Sequence, residues 1–201
     1  MREILHYLWR MLPAVALGLG GYGLAYPFRC RRLAGRGLKT GIWHEAGLAC
    51  FCMFLVGLLW LTVLPEILWE EGHILFRFEG LGEINLKPFV IFTHSRILAQ
   101  RGVKSYFLIN FWGNILMFMP IGLFPALLWR GGRWWTGVLG GMCLSLAIEL
   151  CQIPIHRGTD IDDLWLNTLG AALGYAVARG LGRSWPRVVE KFRVTEGQTW
   201  T

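Results

Sequence analysis

The chain has 201 residues, 54% of them hydrophobic and 16% charged, with a mean hydropathy of +0.44 and a formal net charge of +7. A soluble domain carries about 25% charged residues, so this composition excludes an ordinary soluble fold and points to a membrane protein. The positive charge does not imply nucleic acid, because the basic residues sit in short clusters between apolar runs and form no single stripe.

A membrane span needs about 20 mainly apolar residues. The first apolar run, residues 11–28, is longer than the core of a signal peptide and has no small-x-small cleavage site. It reads as a retained span over 9–28, with glycines at 18, 20, 21 and 23. Four more segments qualify: 46–64, which has no charge; 107–129, with Asn110 and Asn114; 134–155, with Glu149; and 161–181, which starts with acids and ends near Arg179. The expected fold is therefore all-α, a polytopic membrane helical bundle of about five transmembrane helices. Residues 1–64 hold two N-terminal helices and a basic loop, 65–106 an extracytoplasmic or interfacial loop, 107–181 a three-helix core and 182–201 a basic tail.

Lysine and arginine set the orientation. The loop "RCRRLAGRGLK", the turn "RGGR" and the tail after residue 178 place twelve of the twenty basic residues on one face. That denser face is expected to be cytoplasmic, with the N-terminus outside and the C-terminus inside. The loop 65–106 then lies outside, as does the hinge "IPIHRGTD". This loop mixes charge with apolar and aromatic groups in "ILWEEGHILFRF" and "INLKPFVIF". Such segments favour the membrane interface or a re-entrant path, and this one is expected to roof the outer mouth of the bundle.

Five cysteines, four of them within apolar runs, give no disulfide framework, and Cys50-x-Cys52 has no metal-ligand spacing. Gly137, Gly140 and Gly141, with Gly170, Ala171, Gly174 and Ala178, put small residues on the fourth and fifth spans, where they let helices pack closely.

The polar residues gather in one place. Glu149 lies inside the fourth span, and a carboxylate there must be solvated, paired or protonated. Gln152 and His156 follow on its helical face. The fifth span opens with "TDIDD", where Thr159 or Asp160 can cap and Asp162 or Asp163 can fill the first turn. Capping alone does not explain why Asp160, Asp163 and Asn167 share one face. Arg157 in the hinge is the natural counter-charge for Glu149 or Asp163. The third span adds Asn114, with Asn110 one turn away, and the loop adds Asn85.

The runs "INLKPF", "NILMFMPIGLFPALL", "SLAIELCQ", "RGTDIDD" and "NTLGAALGY", in this order, resemble the VanZ-like family. These are small bacterial membrane proteins named for a glycopeptide (teicoplanin) resistance accessory protein. The resemblance covers residues 84–175 and rests on Asn85, Pro88, Asn114, Pro120, Gly122, Glu149, Gln152, Arg157, Asp160, Asp163, Asn167, Thr168 and Gly170. The first two spans contribute nothing to it, and the first span with its basic loop departs from the family's shorter four-span arrangement. The resemblance implies a cell-envelope setting and an accessory role of the resistance type. It does not fix an activity.

Three activities fit such a site. A binding protein would use Asn85, Asn114, Gln152, His156, Arg157 and Asn167 to recognise a cell-wall glycan or lipid-linked precursor. A hydrolase or transferase would use Glu149 as general acid with Asp160 or Asp163 as base or nucleophile. A transporter or flippase is disfavoured by the lack of repeat symmetry. A divalent metal on Asp160, Asp163, Glu149 or His156 has no tight ligand motif behind it, so neither metal nor cofactor is expected. Membrane lipid is an expected partner and nucleic acid is not. A homo-oligomer or a partner from envelope biosynthesis is compatible with the pattern.

Overall fold

A computed structural model of the chain describes residues 2–63, 66–70, 73–77, 84–103, 105–131, 133–155 and 158–196, with backbone alone for 2–11, 66–70, 73–77 and 196. Seven helices dominate it: α1 Arg2–Ala34, α2 Ile42–Val63, α3 Val90–Gln100, α4 Ser105–Leu128, α5 Trp134–Gln152, α6 Ile161–Ser184 and α7 Pro186–Lys191. A π-helical turn, Leu108–Trp112, lies within α4, and a 3-10 turn, Ile153–Ile155, extends α5. Strand is confined to short pairs. β1 Leu38–Lys39 runs antiparallel to β6 Thr195–Glu196, β2 Glu66–Glu70 antiparallel to β3 His73–Arg77, and β4 Ile84–Asn85 parallel to β5 Thr159–Asp160.

Among the described residues, three helical stretches are long and apolar enough to cross a membrane: Ile42–Val63, Ser105–Leu128 and Trp134–Ile155. The chain is thus a mostly helical protein with several candidate spans. The helix α6 has 24 residues, but Asp162, Asp163, Asn167 and Arg179 make it less apolar than those three. The first helix extends beyond both ends of the expected span, to 33 residues, with Pro13 and Pro27 inside it. The loop after α2 contains the β2–β3 pair, β4 and the amphipathic α3, which buries Ile91 and exposes Phe92 and Ile97.

The chain divides into two compact units. The first comprises Met1–Trp60, Phe124–Gly132 and Val177–Thr201. Here α1 meets α2 at Gly18, where a Cβ would lie 2.8 Å from the Met53 Cα. Glu45, at the start of α2, accepts hydrogen bonds from Tyr22, Arg29 and Thr40. Its neighbour His44 is buried, donates from Nδ1 to the Phe192 carbonyl at 2.7 Å and meets Trp129 edge-on.

The second unit comprises Leu61–Leu123 and Arg133–Ala176. Small residues bring its helices into backbone contact, as the stripes on α5 and α6 predict. A Cβ on Gly122 would strike the Ala171 carbonyl, one on Gly170 the Ile115 carbonyl, and one on Gly174 the Met119 carbonyl. Gly141 faces the Ala171 methyl, whereas Gly140 looks into open space and does not serve the contact. At one end of this unit Ile91, Ile115 and Leu166 form a core, with Phe111 and Trp165 packed against it. That core seats α3 on α4 and α6.

Candidate functional site

The helix α5 turns one narrow face inward: Gly137, Gly141, Ser145, Ile148 and Glu149 are buried. Steps of about four residues keep them on one side. The small members let α6 approach, and the face ends in a carboxylate that is 5% exposed. Glu149 Oε2 accepts the Asp160 N–H at 3.1 Å, and the Glu149 carbonyl accepts the Thr159 hydroxyl at 3.0 Å. The end of α5 is thereby tied to β5, from which α6 begins.

Asp160 is the residue that caps α6, not Thr159. Its Oδ1 accepts the Asp162 N–H at 2.9 Å, satisfying one of the free donors of the first turn. Its Oδ2 accepts the Asn85 amide at 3.1 Å. The parallel register, with Asn85 opposite Asp160, brings the two side by side. Asn85 in turn takes the Lys87 N–H at 3.2 Å, closing a local turn.

Asp163, one position beyond this capping turn, is half-buried and accepts a hydrogen bond from the Asn114 amide of α4. One helical turn further, Asn167 donates to the Ser145 hydroxyl at 2.9 Å. Ser145 is fully buried and Asn167 is 4% exposed, yet the Asn167 Oδ1 has no hydrogen-bond partner among the described residues. The polar contacts therefore form rungs between α6 and its neighbours, one turn apart.

The structure thus brings together Asn85, Asn114, Glu149, Asp160, Asp163 and Asn167. The Gln152 amide donates to the Thr62 carbonyl at 3.1 Å, tying α5 to the end of α2. Asn110 donates to the Tyr106 carbonyl within α4 and stays outside the cluster. His156 and Arg157 lie outside the described residues. Among the described residues no Lys or Arg pairs with the three carboxylates, which act electrostatically on one another. Closely spaced like charges in a weakly polar setting favour a shared proton or a cationic partner. Nor do three His, Cys, Asp or Glu side chains among the described residues converge as a metal ion requires.

The sequence offered Asp162 only as a first-turn acid, but its place is more specific. It is 1% exposed, and its carboxylate accepts the N–H groups of Phe89 at 2.5 Å and Ile91 at 2.8 Å, with the Trp165 indole N–H at 2.8 Å. Phe89 holds a left-handed backbone, φ 67°, which costs a non-glycine residue about 1–2 kcal/mol. That conformation turns alternate N–H groups toward one point and makes a small anion nest. Asp162 fills it, and so fastens the N-terminus of α3 to the first turn of α6. Phe89 and Trp165 rings, 5.7 Å apart, pack beside this joint. No spacing rule identifies such a role, because the donors are main-chain groups 73 and 71 residues away.

The arrangement offers carboxylate and amide oxygens on a three-helix frame that also carries the exposed aromatic residues Phe89 and Phe92. Oxygen acceptors of this kind suit hydroxyl groups. A family model described as VanZ/LLP1 matches residues 51–182. The match reaches back into α2, further than the motifs that begin at Ile84. No curated protein and no solved structure matches the chain.

Proposed function

Because the chain belongs to the VanZ/LLP1 family, we propose that it is a multi-pass envelope membrane protein whose acidic cluster binds the polar part of a glycan or lipid-linked precursor. The observation that carries this reading is the convergence of Glu149, Asp160 and Asp163 with Asn85, Asn114 and Asn167 in one unit. Ionisable groups inside a membrane default to function. Binding ranks ahead of catalysis because Asp160 and Asp163 are already engaged, one as a helix cap and one with Asn114. In this reading the chain crosses the membrane with α1, α2, α4, α5 and α6. The N-terminus and the cluster face outward, and the aromatic residues of the α3 region meet the lipid-borne portion of the ligand.

A second reading is a hydrolase or transferase on the same ligands. What favours it is that Glu149 is buried while Asp160 and Asp163 are half-buried. Carboxyls in unlike environments divide the acid and base roles.

One experiment separates the two. Purified wild type, Glu149→Gln and Asp163→Asn are presented with lipid-linked glycans, and both binding and turnover are measured. The binding reading expects wild-type binding without turnover, weakened at least about tenfold in either variant, which is 1.4 kcal/mol. Turnover by wild type that both variants lose would transfer the site to the second reading. Equal binding by all three would discard the cluster as the ligand site. Orientation has its own test. In a chain with the native cysteines replaced, Gly158→Cys should react with an impermeant thiol reagent added to intact cells. Reaction only after lysis would invert the topology.

A further inference from the structure

The loop after α1 and the C-terminal tail are distant in sequence and joined in the first unit. Lys39 pairs with Thr195 between β1 and β6, and the Thr195 hydroxyl donates to the Lys39 carbonyl at 3.3 Å. The buried His44 holds the Phe192 carbonyl, and Trp43 packs against the Phe192 ring with centroids 5.9 Å apart. Gly41 passes so near the tail that a Cβ there would sit 3.9 Å from the Lys191 carbonyl. These contacts link a segment bearing Arg31, Arg32 and Arg36 to one bearing Arg183, Arg187 and Lys191. All six side chains are exposed.

Among the described residues, the unit's own acids do not neutralise them. Its described acidic side chains are Glu45 and Glu190. Glu45 is taken by Arg29, and Glu190 by Arg130 and Arg193. On α7, Val189 is buried while Trp185, just before the helix, and Val188 are 61% and 51% exposed among these cations. Exposed tryptophan beside exposed arginine and lysine is the composition of a segment at a membrane surface. Basic clusters of this kind attract anionic lipid headgroups.

We propose that the joined loop and tail form a binding surface for the anionic headgroups of phospholipids. The β1–β6 pair and the His44 contact hold the tail against the loop, so that both basic segments address the same headgroup layer. The surface is separate from the carboxylate cluster and does not depend on what that cluster binds.

The test uses the full chain purified in an uncharged detergent, with phosphatidylglycerol or phosphatidylcholine added. Bound lipid is counted by native mass spectrometry, and thermal unfolding is followed in parallel. Wild type should prefer phosphatidylglycerol by at least about tenfold, and the preference should shrink as salt rises. Arg32→Gln/Arg36→Gln/Arg187→Gln/Lys191→Gln should abolish it, whereas Arg96→Gln/Arg101→Gln should keep it. Equal binding of the two lipids by wild type, a preference that ignores salt, or one that survives the quadruple change would each overturn the proposal. Inorganic phosphate that competes as well as the lipid would assign the surface to a soluble anion and also overturn it. The salt series on wild type decides the matter even if the quadruple variant fails to fold.

Discussion

Each unit of the molecule sets a glutamate into helical packing, Glu45 half-buried and Glu149 buried, and the two are treated in opposite ways. Glu45 receives a cation and two hydroxyls, from Arg29, Thr40 and Tyr22. Glu149 receives a main-chain N–H and has the acids Asp160 and Asp163 for neighbours. The first arrangement is a completed network, which fixes a fold and leaves nothing to recruit. The second joins acid to acid through amides and leaves the Asn167 Oδ1 unpartnered. A buried carboxylate is thus a sign of function less by its depth than by how it is compensated.

The largest effect that should separate the two comes from removing compensation where it exists. Arg29→Met leaves Glu45 without its cation. Breaking a buried pair costs about 3–5 kcal/mol, and the low end applies because the two side chains retain 24% and 16% exposure. Adding Glu45→Gln should restore most of the loss, measured by denaturant unfolding in detergent. Glu149→Gln keeps an oxygen for the Asp160 N–H and should change stability by less than about 1 kcal/mol. If both glutamates prove equally costly to alter, the distinction between a structural and a functional acid fails.

An intermediate effect is expected at the joint between the site and its loop. Asp162→Ala strands the buried N–H of Ile91, together with those of Phe89 and Trp165, and should cost about 2–3 kcal/mol. The loss should be local. Hydrogen exchange of residues 89–100 should accelerate, while that of α5 stays near wild type. Asp162→Asn keeps a neutral acceptor and should cost roughly half as much. Unchanged exchange in the alanine variant would mean that packing of Ile91 and Trp165, not the carboxylate, holds α3 in place.

What the sequence revealed follows from how each signal is encoded. Helices written as apolar runs were legible, as in α2, α4 and α5, because crossing a bilayer takes a length and composition that composition alone reveals. The stripe of Gly170, Ala171 and Gly174 was legible as packing, because helical spacing puts small residues on one face. Asn85, Asp160, Asp163 and Asn167 were singled out because polar side chains in such surroundings need a reason. Glu45 carries no such mark, since it sits just outside the apolar run and its partners come from a different helix and a loop. Gln152 was assigned to the face of Glu149, and only the fold shows its amide turned to the Thr62 carbonyl. Asp162 was the hardest, because two of its three partners are distant main-chain N–H groups that carry no mark in the sequence.

The smallest expected change gives the finest test of the contrast. Asn167 and Ser145 make a hydrogen bond between α6 and α5, and such a contact between helices in a membrane averages about 0.6 kcal/mol. Ser145→Ala alone leaves the whole Asn167 amide buried without a partner and should cost about 1–3 kcal/mol. Ser145→Ala with Asn167→Leu removes donor and acceptor together, including the carbonyl that already lacks a partner. Replacing a polar pair by apolar groups of similar shape is nearly neutral, so the double variant should unfold within about 1 kcal/mol of wild type. A loss beyond about 2 kcal/mol would put this rung in the same class as the Glu45 network, since no neutral exchange could then be made there. With stability unchanged, a fall in glycan binding would assign the free amide oxygen to the ligand. A fold retained together with full binding would confine the site to the neighbouring contacts, where Asn114 meets Asp163 and Glu149 meets the Asp160 backbone.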